Sequence, residues 1–355
     1  MKNYRQWFYI TLCLVLVPLL GLAAFNYYID PLWCFNHSNQ YNSIQMPFDE
    51  RQQKTNQVTF APFDYDTLLL GSSRVTYINQ RDFPGHKTYN YAVSLIDLED
   101  YYDFIEYAKA RRGGEFDCII LGLDFYSTNR NFQNDAHPAE FYIDKSQQFA
   151  YRWKTLLSRD VFDYSRQNYR NSVRGVPMDT AYDRSNVKTL TTLTEGAKGE
   201  RVQANLKKYH EVVYANYAYD DVRGILEKIK RANPHTRFIV FTTPEARPLF
   251  QVMVNEGLLP FYEQWLSDNV EVFGAVYNFD YPNDVTGNLA NYYDASHIYP
   301  LVGTRLAHRL VGQSDTALPD DFGVLVTRAN LAQHLEMVRE RVKGTVLLTR
   351  HLTLP

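Results

Sequence analysis

The chain has 355 residues, of which 45% are hydrophobic and 15% aromatic. That is ample for one large or two smaller α/β domains and excludes a disordered or fibrous class. A formal net charge of −3 leaves no basic surplus, so nucleic acid is not an expected partner. Three cysteines with no Cys-x-x-Cys or Cys/His spacing exclude a disulfide framework or zinc motif, and no metal or diffusible cofactor is expected.

Lys2 and Arg5 precede Trp7 to Phe25, which carries no charge and has about the length a helix needs to cross ~30 Å of hydrocarbon. Trp7, Tyr9, Tyr27 and Tyr28 stand where interfacial aromatics would, and the flanking cations predict an N-in orientation with the remainder extracytoplasmic. Residues 1–28 are therefore expected to form an N-terminal signal anchor. A cleaved signal peptide is the competing reading, because Gly21-Leu22-Ala23 offers small residues at a cleavage position, although the run exceeds the usual core of about 7–15 residues. Residues 29–62 are polar and aromatic, with Pro31, Pro47 and Pro62, and read as a stalk.

A folded domain is expected over 63–312. The apolar run Asp66 to Leu70 predicts a buried strand delivering Gly71-Ser72-Ser73-Arg74 to its C-terminal edge. Further strands are expected at Lys87 to Val93, Asp117 to Leu121, Arg237 to Thr243 and Val276 to Phe279. Helices are expected at Asp97 to Arg112, ended by Gly113-Gly114, and at Ala218 to Ala232, Leu249 to Leu266 and Leu301 to Val311. The alternation predicts a doubly wound, parallel, five-stranded α/β sheet. Between the third and fourth strands, residues 126–214 lose the strand rhythm and are too long for a plain loop. They read as an insertion over the active face, fit for a lid or partner surface. Residues 313–355 are expected to be a helical extension, with a turn region at Thr316 to Gly323 and an amphipathic helix at Thr327 to Lys343 carrying Leu331, Leu335 and Val338 on one face.

Ligands of open α/β sheets bind at the C-terminal strand edge, where Ser72 and Ser73 fall. Far downstream, Asp294-Ala295-Ser296-His297 precedes Pro300, whose position suits a first helical turn. A serine needs a base, and the base an orienting carboxylate, so the two stretches contain every part of a Ser-His-Asp triad. His137 and His210 sit in polar surroundings and read as surface residues. Glu245 and Arg247 fall just past the fourth strand at the same edge, suiting substrate contact or a salt bridge.

These residues resemble the SGNH (GDSL-like) hydrolases. That family has its nucleophile in a Gly-x-Ser block after the first strand, matched by Gly71-Ser72-Ser73, and a final Asp-x-x-His block, matched by Asp294 and His297. The resemblance spans roughly 63–312. It implies Ser73 as nucleophile, His297 as general base and Asp294 as its orienting acid. Its second block, a glycine giving an oxyanion N–H, corresponds to Asn90-Tyr91-Ala92-Val93-Ser94, with Ser94 or Ala92 as donor. Its third block, Gly-x-Asn, corresponds to Gly122-Leu123-Asp124, where an ionised carboxylate cannot donate to an oxyanion. Arg74 is placed to face the developing charge or to neutralise Asp124. Among family members the chain is similar to membrane-anchored proteins of cell-envelope modification, of the alginate O-acetylation and D-alanyl-lipoteichoic acid types. That implies an acyl ester or surface polysaccharide as substrate and a multi-spanning acyltransferase as partner. The reading is an esterase or O-acyltransferase; the alternative is a catalytically silent binding or assembly subunit.

Overall fold

The computed structural model describes residues 2–175, 178–220, 222–313 and 318–350. Its chain divides into two compact units, each assembled from two stretches: residues 1–63 with 139–191, and residues 64–138 with 192–355.

The second unit is built on a six-stranded sheet. In chain order its strands are β1 (Thr67–Leu70), β2 (Thr88–Asn90), β3 (Cys118–Leu123), β4 (Arg237–Thr242), β5 (Ala275–Asn278) and β6 (Val324–Thr327), in the spatial order β2-β1-β3-β4-β5-β6. The first five are mutually parallel, with Leu69 opposite both Asn90 and Ile120, and Leu121 opposite Val240. Leu68, Leu69, Leu70, Ile119, Ile120 and Leu121 are fully buried, as expected of parallel strands sealed on both faces. The order 2-1-3-4-5 is a common doubly wound arrangement, and it places a topological switch point between β1 and β3. The helix Leu98–Arg112 buries Tyr101, Phe104, Ile105 and Ala108 and stops at Gly113, whose φ of +86° lies in the left-handed region.

Three expectations for this unit need correction. The sheet has six strands, because β6 adds antiparallel to β5, pairing Val324 with Asn278. The β6 residues fell in the expected helical extension, between the end of its turn region and the first residue of its helix; four residues with only Val326 fully buried give too weak a pattern to read. The helix after β6 is Leu331–Arg350, and it buries Leu335 and Val338. Of the expected turn region, residues 316 and 317 lie outside the described residues, as do residues 351–355 of the extension. The single helix expected over Leu249 to Leu266 is two, Arg247–Asn255 and Leu259–Phe273. Gly257, at φ +75°, turns the chain between them, and Pro260 opens the second. The helix expected from Ala218 runs over Arg223–Ala232, and Asp221 lies outside the described residues.

The first unit contains the helix Lys2–Ile29, in which Tyr4–Ile29 is long and apolar enough to cross a membrane. Residues 29–62 are not an extended stalk. They include the helix Glu50–Phe60, whose residues Glu50 to Asn56 are all buried, and a short strand Ile44–Gln45 that pairs antiparallel with Thr180–Asp183. Leu32, Cys34 and Phe35 form a core with Tyr151 and Val161. The polar side chains that suggest a solvated linker are spent internally. Gln53 donates to the Pro31 carbonyl at 2.8 Å, Asn56 to the Leu32 carbonyl at 2.8 Å, and Lys188 pairs with Glu50 at 3.1 Å. The expected insertion 126–214 is accordingly divided: residues 139–191 complete this unit, while 126–138 and 192–214 belong with the sheet.

Candidate active site

The turn after β1 carries Ser73 because two glycines let it fold tightly against the sheet. A Cβ on Gly71 would meet Val75 Cγ2 at 2.3 Å, and one on Gly122 would meet the same methyl at 2.4 Å. The chain can therefore enter the 3₁₀ turn Val75–Tyr77 directly above β1 and β3. Ser72 is fully buried, and its hydroxyl accepts from the Arg74 N–H at 3.2 Å. Ser73 points the other way, with its Oγ 2.9 Å from His297 Nε2.

His297 is held by a compact loop. The Tyr293 N–H donates to the His297 carbonyl at 2.8 Å, Tyr292 bridges Ile298, and Pro300 opens the helix Pro300–Leu310. Asp294 Oδ1 accepts from the N–H groups of Ser296 at 2.7 Å and His297 at 2.8 Å. That leaves Oδ2 to accept from His297 Nδ1 at 2.8 Å. A carboxylate can only accept, so Nδ1 carries the proton and Nε2 presents its lone pair to the Ser73 hydroxyl. Burial pushes the Asp294 carboxyl upward, but the His297 charge and these hydrogen bonds outweigh it and hold it at about 2. The Ser73-His297-Asp294 relay is thus continuous, and the Ser73 N–H has no acceptor among the described residues.

The relay opens into a small cleft walled by Leu95, Phe132, Asn205, Lys208, Tyr209 and Val213. The helix Glu195–Lys208 and the π turn Tyr209–Val213 supply one side, and single π turns occur often at functional sites. Asn205 Nδ2 donates to Ser296 Oγ at 3.3 Å, while its buried Oδ1 has no partner among the described residues. Sequence reasoning missed Asn205, Lys208 and Tyr209. They lie in a stretch without strand rhythm, and only the fold brings them beside Ser73.

The other expected site residues fall elsewhere. Arg74 lines the floor of the cleft but turns inward, 4% exposed. It donates to Glu245 at 2.9 Å, to Tyr209 Oη at 2.9 Å and to Thr243 Oγ1 at 3.3 Å. Its Nε stands 3.5 Å from Asp124, and its guanidinium lies over the Tyr126 ring. Asp124 also accepts from the Thr243 hydroxyl. Asp124 therefore belongs to a buried ion-pair cluster, with Arg74 as its neutralising partner, and neither residue is an oxyanion donor. Burial and the neighbouring carboxylates push Asp280, at the edge of this cluster, well above the usual carboxylate range; burial also raises Glu245 against the pull of Arg74. Ser94 is half-buried on the loop after β2, beside Leu95, which lines the cleft at φ +52°. Arg247 does not line the cleft. Its Nη2 donates to the Asn283 carbonyl at 3.0 Å, and it packs under Gly287.

Among the described residues no group of three or more His, Cys, Asp or Glu side chains is placed to hold a metal ion. No protein-family model matches the chain, and no curated protein matches it.

Proposed function

We propose that the protein is a serine esterase or O-acyltransferase of SGNH type, anchored N-in with its sheet unit outside the membrane and acting on an acyl ester or surface polysaccharide. The observation that carries this reading is the unbroken relay Ser73 Oγ, His297 Nε2, His297 Nδ1, Asp294 Oδ2, with links of 2.9 and 2.8 Å, open to a cleft.

In the first half-reaction the Ser73 oxygen attacks the ester carbonyl as its proton passes to His297 Nε2. Asp294 stabilises the imidazolium. The tetrahedral oxyanion takes the free Ser73 N–H, and the Asn205 amide, which lines the cleft, is the side-chain donor nearest in kind to the one the Gly122-Leu123-Asp124 block lacks. The tetrahedral intermediate collapses, the C–O bond to the alcohol breaks, and that oxygen takes the proton from His297. In the second half, water or a sugar hydroxyl gives its proton to His297 and attacks the acyl-Ser73 carbonyl, and Ser73 leaves with its proton restored. Water as acceptor makes an esterase, a sugar hydroxyl an acyltransferase. Lys208 and Asn205 give the cleft a polar wall, which suits a carbohydrate acceptor better than a long acyl chain. A multi-spanning acyltransferase is the partner this reading implies.

The silent-subunit reading is favoured by one observation, that the Asp124 carboxylate is locked away with Arg74 and supplies no oxyanion donor. Turnover of a chromogenic acetyl ester by the full chain in detergent, beside its Ser73→Ala variant, separates the two. Hydrolysis abolished in Ser73→Ala supports the enzyme, whereas equal background rates from two folded proteins support the subunit.

A further inference from the structure

The apolar run Trp7 to Phe25 spans 19 residues, about 28 Å of helix at the usual rise. That nearly matches a ~30 Å hydrocarbon layer. Asn26, the next residue, is 1% exposed, and its Nδ2 donates to the carbonyls of Leu156 at 3.0 Å and Ser158 at 3.3 Å. Phe25 adds edge-to-face contacts with Phe162 at 5.7 Å and Tyr169 at 5.9 Å. The segment around residues 149–158 is thereby fastened to the helix where its apolar run ends.

That segment exposes the wrong side chains for water. Phe149 is 91% exposed, Trp153 53% and Leu157 54%. Trp153 is held in place, 5.5 Å from the Phe35 ring with the Arg152 guanidinium 4.8 Å from its own centroid. Between residues 149 and 160 the cations Arg152, Lys154 and Arg159 face Asp160 as the one acid. Tryptophan beside basic residues, at the level where a spanning helix leaves hydrocarbon, is the composition of a headgroup layer.

We infer that residues 149–159 lie in the lipid headgroup layer, with Phe149, Trp153 and Leu157 dipping to the acyl boundary and Arg152, Lys154 and Arg159 facing anionic lipid phosphates. The inference rests on reading Lys2–Ile29 as membrane-spanning. It gives the first unit a function of its own, a second contact with the bilayer beside the spanning helix.

The test uses the full chain in nanodiscs of phosphatidylcholine and phosphatidylglycerol, with or without bromine on acyl carbons close to the headgroup. Of the four tryptophans, Trp33 and Trp265 are buried in protein and should not be quenched. Bromine should quench a component of the emission that disappears in Trp153→Phe, and a separate component that disappears in Trp7→Phe. Replacing Arg152, Lys154 and Arg159 together by Gln should weaken the Trp153 component most at high phosphatidylglycerol. If only Trp7→Phe removes quenched emission, the anchor stands and the inference falls, the patch being in water or against another protein. Loss of quenching at Trp7 as well would overturn the spanning helix and the inference with it.

Discussion

At the scale of single residues, each member of the relay is fixed by a different part of the chain: Ser73 by the glycines beneath it, His297 by a closed loop, and Asp294 by two backbone N–H groups that leave one oxygen for the imidazole. Asp294→Asn keeps this shape but removes the acceptor that selects the reactive tautomer. The ester turnover proposed for this site should then fall by roughly 10³–10⁴ with little change in KM, read from steady-state kinetics. Asp294 also links stability to pH. Its carboxyl is held at about 2 against an ordinary 3.8, so the charged form favours the folded state by about 2 kcal/mol. This contribution is complete above the unfolded value near pH 4 and is lost as pH falls towards 2. Urea unfolding of the wild type between pH 6 and 2 should show that loss, and Asp294→Asn should flatten it. Arg74 behaves differently, since its cost of removal is structural. Arg74→Met leaves Asp124 and Glu245 buried without their cation, and should cost about 3–5 kcal/mol in the same assay.

At the scale of elements, the junction of β1 with its 3₁₀ turn depends on Gly71 and Gly122 having no side chain. Gly71→Ala forces a methyl against Val75 and the Gly122 carbonyl and should destabilise by about 1–3 kcal/mol, with a matching drop in Tm by calorimetry. Strands β1, β3 and β4 were legible in the sequence because each carries a continuous apolar run, Leu68 to Leu70, Cys118 to Leu121 and Phe238 to Phe241, whereas β2 (Thr88–Asn90) and β5 (Ala275–Asn278) are shorter and more polar and show chiefly through the β-α alternation. The triad was legible because its residues fall at strand ends and helix starts with local signatures: Gly71-Ser72-Ser73 after a strand, and Asp294 three residues before His297. Apart from Gly257 and Pro260, a stop and a start signal set inside a continuing apolar period, what escaped had no local signature. β6 is short and weakly patterned. The break at Gly257 lay inside an apolar period that continues on both sides of it. Asn205, Lys208 and Tyr209 reach the cleft through a connection of long sequence separation; of the two roles open to Arg74 in the sequence, the structure shows the one that neutralises Asp124, with Glu245 as a second partner.

At the scale of the whole molecule, the first unit is discontinuous in sequence, and its core joins Leu32, Cys34 and Phe35 to Tyr151 and Val161. A chain beginning at Asp64 would leave residues 139–191 without half of that core. Limited proteolysis should cut it between 139 and 191, whereas a chain beginning at Asn26 should resist there. The functional reading rests on the geometry of the site. The measurement that tests that reading most directly is the mass of the full chain after brief exposure to an activated acetyl ester, with the modified peptide sequenced. The account predicts one acetyl group on Ser73, absent in His297→Ala and longer-lived when acceptor is withheld. A folded protein that acquires no adduct, or acquires it equally in His297→Ala, would contradict it.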